Sequence, residues 1–117
     1  MKEVFTNSPF TILLRVHVDG EPVTQADLSS ISFRAVHATE AQADVTGSLT
    51  VSSVISDTLQ TGAMWSTDST GYNLTHNVSG TALDEPGVYV FEYTITPAGG
   101  EATVLPELIF VRAKSRV

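Results

Sequence analysis

The stretch that decides the fold is Pro86-Gly87-Val88-Tyr89-Val90-Phe91-Glu92-Tyr93-Thr94-Ile95-Thr96-Pro97. Tyr89, Phe91, Tyr93 and Ile95 recur at every second position, with Val88, Val90, Glu92, Thr94 and Thr96 between them. A period of two puts the aromatic set on one face of a strand. Pro86-Gly87 leads into this strand and Pro97-Ala98-Gly99-Gly100 ends it, because Pro fixes φ and Gly accepts positive φ. The last third of the chain, Gly71 to Arg112, therefore reads as strands and turns with no helical period.

The same period extends toward the N-terminus. Phe10, Ile12, Leu14, Val16 and Val18 alternate with Thr11, Leu13, Arg15 and His17, the pattern of a sheet with one wet face. Asp19-Gly20-Glu21-Pro22 stops that strand. A second runs over Ser30 to His37, with Ile31, Phe33 and Ala35 facing in and Ser32, Arg34 and Val36 facing out. Ala38 to Val45 reads as a loop, since an isolated helix of that length is marginal. Thr46-Gly47 opens a strand through Leu49 and Val51 toward Val54 and Ile55. Tyr72, Leu74, His76 and Val78 alternate again, and Thr103 to Leu105 and Leu108 to Arg112 complete the set. About seven short strands spaced by turns is the count of an immunoglobulin-like sandwich, so the expected fold is an all-β, antiparallel immunoglobulin-like β-sandwich. Ile12, Leu14, Val16, Phe33, Tyr89, Phe91 and Tyr93 are its expected core.

A chain of 117 residues makes one domain, and 42% hydrophobic against 16% charged residues is enough to fold. Residues 1–9 end in Asn7-Ser8-Pro9 and read as an N-terminal arm, 10–113 as the sandwich, and 114–117 as a basic tail. Met1 is followed by Lys2-Glu3-Val4-Phe5-Thr6-Asn7, too polar for a signal peptide, so synthesis in a cytoplasm and no membrane contact are expected. The net charge of −7 disfavours nucleic acid, whose binding rests on cations neutralising phosphates. Between Val16 and Val111 the only basic residue is Arg34, whereas Arg112, Lys114 and Arg116 crowd the end.

Chemistry-bearing patterns are weak. The chain has no cysteine, which excludes disulfides and thiolate chemistry. His17, His37 and His76 fall on separate strands at outward or terminal positions and share no ligand spacing. Asp84-Glu85 precedes the Pro-Gly turn and reads as solvated rather than as an acid–base pair. No Gly-x-Ser-x-Gly occurs, and Gly99-Gly100 is a hairpin turn with no helix behind it to hold a phosphate. Asn73-Leu74-Thr75 and Asn77-Val78-Ser79 match the glycosylation pattern by chance in a Ser/Thr-rich chain. Trp65, alone in a polar segment, reads as a ring closing one end of the core. The expectation is a protein with no catalytic residue, no metal site and no cofactor.

Gly71-Tyr72-Asn73-Leu74, Pro86-Gly87-Val88-Tyr89-Val90-Phe91-Glu92-Tyr93-Thr94 and Gly99-Gly100-Glu101, together with Asp27-Leu28-Ser29-Ser30-Ile31-Ser32-Phe33, resemble the immunoglobulin-like modules of tailed-bacteriophage virion proteins. The resemblance covers about residues 10–113. It implies a structural role in the virion, as a capsid decoration (cement) protein bound to the assembled head, or as a head-to-tail or baseplate adaptor. The implied partners are the major capsid protein or other virion subunits and further copies of the chain, often as a trimer. A carbohydrate-binding module that stacks sugars on Trp65 and Tyr72 is the rival, and the exposure of Trp65 discriminates the two.

Overall fold

The structure is a computed structural model that describes residues 2–62, 64–65 and 67–115. Its strands are β1 (Lys2–Phe5), β2 (Phe10–Leu14), β3 (His17–Val18), β4 (Glu21–Pro22), β5 (Leu28–His37), β6 (Val45–Leu49), β7 (Ile55–Gln60), β8 (Tyr72–Val78), β9 (Gly87–Pro97), β10 (Thr103–Val104) and β11 (Ile109–Lys114). Among the described residues helix is confined to one 3-10 turn, Gln25–Asp27, and the four-residue α1, Val51–Val54. With 54% strand and 6% helix the protein is all-β.

Two sheets carry the fold. The larger has the order β1-β11-β9-β5-β6, with β10 also on β9, and the smaller the order β2-β8-β7. Every pairing is antiparallel except that of β1, which lies parallel to β11 with Lys2 beside Val111 and Phe5 beside Lys114. The strand from Gly87 organises this arrangement because it is the longest and is flanked on both sides, by β5 from Leu28 to His37 and by β11. Tyr89, Phe91, Tyr93 and Ile95 are all buried, on one phase. They meet Ile12, Leu14, Leu74 and Val78 of the smaller sheet in one apolar cluster. Phe91 lies at its middle, with ring centroids 5.9 Å from Phe10 and 6.2 Å from Phe33. Fully burying a side chain of this kind contributes about 1.5–3 kcal/mol, so this strand is a large part of what holds the sheets together.

Four expectations need correction. Lys2–Phe5 is an edge strand rather than an arm, because the β11 edge offers unpaired backbone groups and Val4 turns inward beside Ala113. Lys114, expected in a tail, is the last residue of β11; Arg116 and Val117 lie outside the described residues. Phe33 is only half-buried, its ring lying over the bare Cα of Gly47 on the neighbouring strand and reaching His76 at 4.5 Å. Val51–Val54 is a helical turn instead of a continued strand, and through it the chain passes from the larger sheet to the smaller one.

Candidate functional site

The histidines do not behave alike. His17 is exposed, but His37, at the end of β5 as expected, and His76 are buried, whereas the sequence pattern predicts surface histidines at outward positions or strand ends. The period of two contained the signal: His37 continues Ile31, Phe33 and Ala35, and His76 sits between Leu74 and Val78. His76 Nδ1 lies 2.7 Å from the Tyr93 hydroxyl, and burial pulls its pKa down to about 4. The same burial pushes the Tyr93 hydroxyl above its usual value. His37 Nδ1 accepts the Thr39 amide at 3.1 Å, so the proton must sit on Nε2, which donates to the Pro86 carbonyl at 2.9 Å. Both rings are structural: among the described residues no three His, Asp or Glu side chains come together to hold a metal.

Asp84 and Glu85 are exposed, and it is their backbone that is engaged. Gln42 Oε1 accepts both amides, at 3.0 and 3.3 Å, while Gln42 Nε2 donates to Ala82 O at 2.7 Å. The Tyr89 hydroxyl lies between Gln42 Oε1 and Glu85 O, the latter 2.7 Å away and four residues back along the chain. This knot pins the 38–44 loop to the turn that starts β9. The two glycosylation matches differ as well. Asn73 is buried and its side chain bridges Val16 N and O, whereas Asn77 is exposed and accepts from Thr11 Oγ1.

Trp65 is half-buried, and its ring sits 5.6 Å from Tyr72 at a 45° tilt. Asp68 organises the segment around it. Its carboxylate accepts from Trp65 Nε1, Thr70 N, Gly71 N and the Arg15 guanidinium, and Arg15 foremost holds the Asp68 pKa far below the usual carboxylate range. The indole borders a cleft of about 230 Å³ on the open flank between the sheets, lined also by Lys2, Thr11, Leu13, Met64 and Ile109.

A different kind of surface covers the outside of the larger sheet. Val36, Val90 and Phe110 are partners across β5, β9 and β11 and form an apolar row on the outward phase. Of the five large exposed apolar side chains among the described residues, Phe5, Val104, Leu108 and Phe110 belong to this sheet or adjoin it. Beside them stand the cations. Arg112 and Lys114 lie on this outward phase of β11, whereas Lys2, beside Val111, is on the opposite phase toward the Trp65 cleft; Lys114 Nζ meets Glu3 at 2.6 Å, which with the charge of Arg112 lowers the Glu3 pKa. Sequence reading found the cations but not the apolar row, because Val36 and Val90 gain meaning only once the pairing register is known. No family model, curated protein sequence or solved structure matches the chain.

Proposed function

We propose that this chain is a structural subunit of a tailed-phage virion, a decoration protein that binds the assembled head and catalyses nothing. The finer reading of its fold is immunoglobulin-like. Supporting that reading are a three-stranded sheet packed on a sheet with β9 and β11 at its centre, and the backward bond of Tyr89 to Glu85, the geometry of the tyrosine corner. Phe91 then occupies the place where antibody domains put the second cysteine of their inter-sheet bond, two residues after the corner tyrosine.

The observation that carries the functional proposal is the gathering of Arg112, Lys114 and the exposed Phe5 on one face of two adjacent strands of a chain whose net charge is −7. Cations beside an uncovered aromatic on an acidic body suit an acidic protein surface, the chemistry expected of a larger assembly that this chain coats. Sedimentation of the purified protein with empty phage shells tests it. Co-sedimentation that weakens with salt and is reduced by Arg112→Gln with Lys114→Gln is the expected result. Binding to isolated tails but not to shells would favour the head-to-tail or baseplate alternative, and binding to neither would end the proposal.

The cleft beside Trp65 favours a second reading, a carbohydrate-binding module. Trp65 lines the cleft, and its 45° tilt against Tyr72 means that the two rings do not form one flat platform. Quenching of the single tryptophan by oligosaccharides, with no binding to shells, would establish this reading in place of the first.

A further inference from the structure

We propose that the outer face of the larger sheet is the contact between two copies of this chain, packed face to face about a two-fold axis that runs along β9. This inference is distinct from the virion reading, since it rests on the apolar row at the centre of the face, with the β1–β11 cations at the rim.

The apolar row is self-complementary. Val90 lies on β9, the large Phe110 one strand to one side and the smaller Val36 one strand to the other, all at one level. A two-fold axis along β9 exchanges the two sides. It sets Phe110 of each copy over Val36 of its mate, large against small, and places Val90 against Val90 and Val88 against Val88. Reciprocal contact of this kind, in which residue i meets j and j meets i, defines an isologous interface. Aligned sheets pack about 10 Å apart, which leaves room for one interdigitated layer of side chains.

Charge selects a second copy as the occupant. The chain carries −7, so most of its surface repels an identical molecule. On this face the charges balance: Arg34 is held by Asp44 at 2.7 Å and neighbours Glu92 across the ladder, Lys114 is held by Glu3 at 2.6 Å, and Arg112 stands opposite Val88. Three cations thus meet three anions, and two copies approach here without the penalty found elsewhere. Glu92 falls near the axis, beside Arg34 of the adjacent strand in the ladder register, and its approach to the Glu92 of the mate is the one unfavourable charge contact this packing makes.

Size is adequate. Five strands about 4.8 Å apart, exposed over roughly seven residues of 3.4 Å each, project roughly 500–600 Å². The accessible area of a face textured by side chains exceeds its projection, and a stable interface needs about 800 Å² from each partner. Phe110 and Val104 standing exposed on such a face are what a covered surface leaves behind when its mate is absent.

The test is analytical ultracentrifugation of the full chain from micromolar to submillimolar concentration. A reversible dimer is expected, and Phe110→Ser should weaken it about thirtyfold or more, the effect of losing a central aromatic anchor. Circular dichroism and thermal melting check that this half-exposed position leaves the fold intact. Because the chain has no cysteine, Val90→Cys gives a clean second measurement. A short bismaleimide should cross-link it to a covalent dimer, while Thr58→Cys on β7 should not cross-link; this result decides the matter even if Phe110→Ser fails to fold. A strictly monomeric wild-type chain overturns the proposal. So does a dimer that is indifferent to Phe110→Ser with Val90→Cys not cross-linked, and so does a monomer that needs Phe110 to bind shells, which would make the face a site for a different protein. Loss of shell binding in the Arg112 and Lys114 variants with the dimer retained would separate this inference from the virion reading.

Discussion

Nδ1 of His76, on the smaller sheet, lies 2.7 Å from the hydroxyl of Tyr93, on the larger one, so a direct polar link between the sheets joins two groups that burial keeps neutral. Burial lowers the His76 pKa from 6.5 to about 4. Between those values the unfolded chain binds a proton that the folded chain refuses, so stability falls as pH drops through this window and levels off below it. The expected loss between pH 7 and 4.5 is on the order of 2 kcal/mol. Urea unfolding at the two pH values measures it. His76→Gln, which keeps a hydrogen-bonding group but does not titrate, should flatten the slope; an unchanged slope would place the acid sensitivity elsewhere.

Gly87 opens β9 at φ +137°, and a Cβ there would overlap Nε2 of His37. Gly87→Ala therefore meets both backbone strain and a clash with a ring held between the Pro86 carbonyl and the Thr39 amide. The strain alone costs about 1–3 kcal/mol. Gly99, at φ +74° with open space around it, provides the contrast. Gly99→Asn should cost less than about 1 kcal/mol, because Asn tolerates the left-handed region. Chemical denaturation of both variants should rank them clearly, with Gly87→Ala much the worse.

Removing Met1 to Phe5 should destabilise the domain by roughly 2–4 kcal/mol, from the half-buried Val4 and the hydrogen bonds of the β1–β11 ladder. An arm would have been dispensable. The deletion also bares the β11 edge, and soluble aggregates in size-exclusion chromatography are the expected by-product. Glu3→Gln removes only an exposed ion pair and should leave the melting temperature nearly unchanged.

Asp68→Ala takes away the common acceptor of Trp65, Thr70, Gly71 and Arg15. The emission of the single tryptophan should shift to the red and become more accessible to iodide, while the far-ultraviolet spectrum stays that of a β protein. Arg15→Gln should produce a smaller shift in the same direction, because the backbone donors to Asp68 remain. Unchanged emission in both would mean that Tyr72, and not Asp68, holds the indole.

Where residues alternate strictly, their inward phase was legible from the residues alone. Tyr89, Phe91, Tyr93 and Ile95, and likewise Ile12, Leu14 and Val16, are buried on the phase their spacing predicts. Legibility failed where pairing outweighed composition. Lys2-Glu3-Val4-Phe5 has one inward apolar residue, and only the vacant β11 edge makes a strand of it. His37 and His76 followed the inward phase despite polar side chains, because each finds partners inside: Pro86 and Thr39 for one, Tyr93 for the other. Phe33 lost burial to the missing side chain of Gly47. The candidate surface was half legible. Its cations stand out in an acidic sequence, but the row of Val36, Val90 and Phe110 is assembled from three distant segments by a register that no local pattern encodes.

The parallel pairing of β1 with β11 also decides how the molecule responds to force. Tension applied between Lys2 and Lys114 pulls two side-by-side strands in opposite directions along their own lengths. The cross-links between them, slanted and evenly spaced as in any parallel pair, are then loaded together in shear instead of being peeled one at a time. A hairpin of the same length would unzip under far less load. This terminal pair therefore acts as a mechanical clamp, and the larger sheet stays closed until the clamp gives way as a unit.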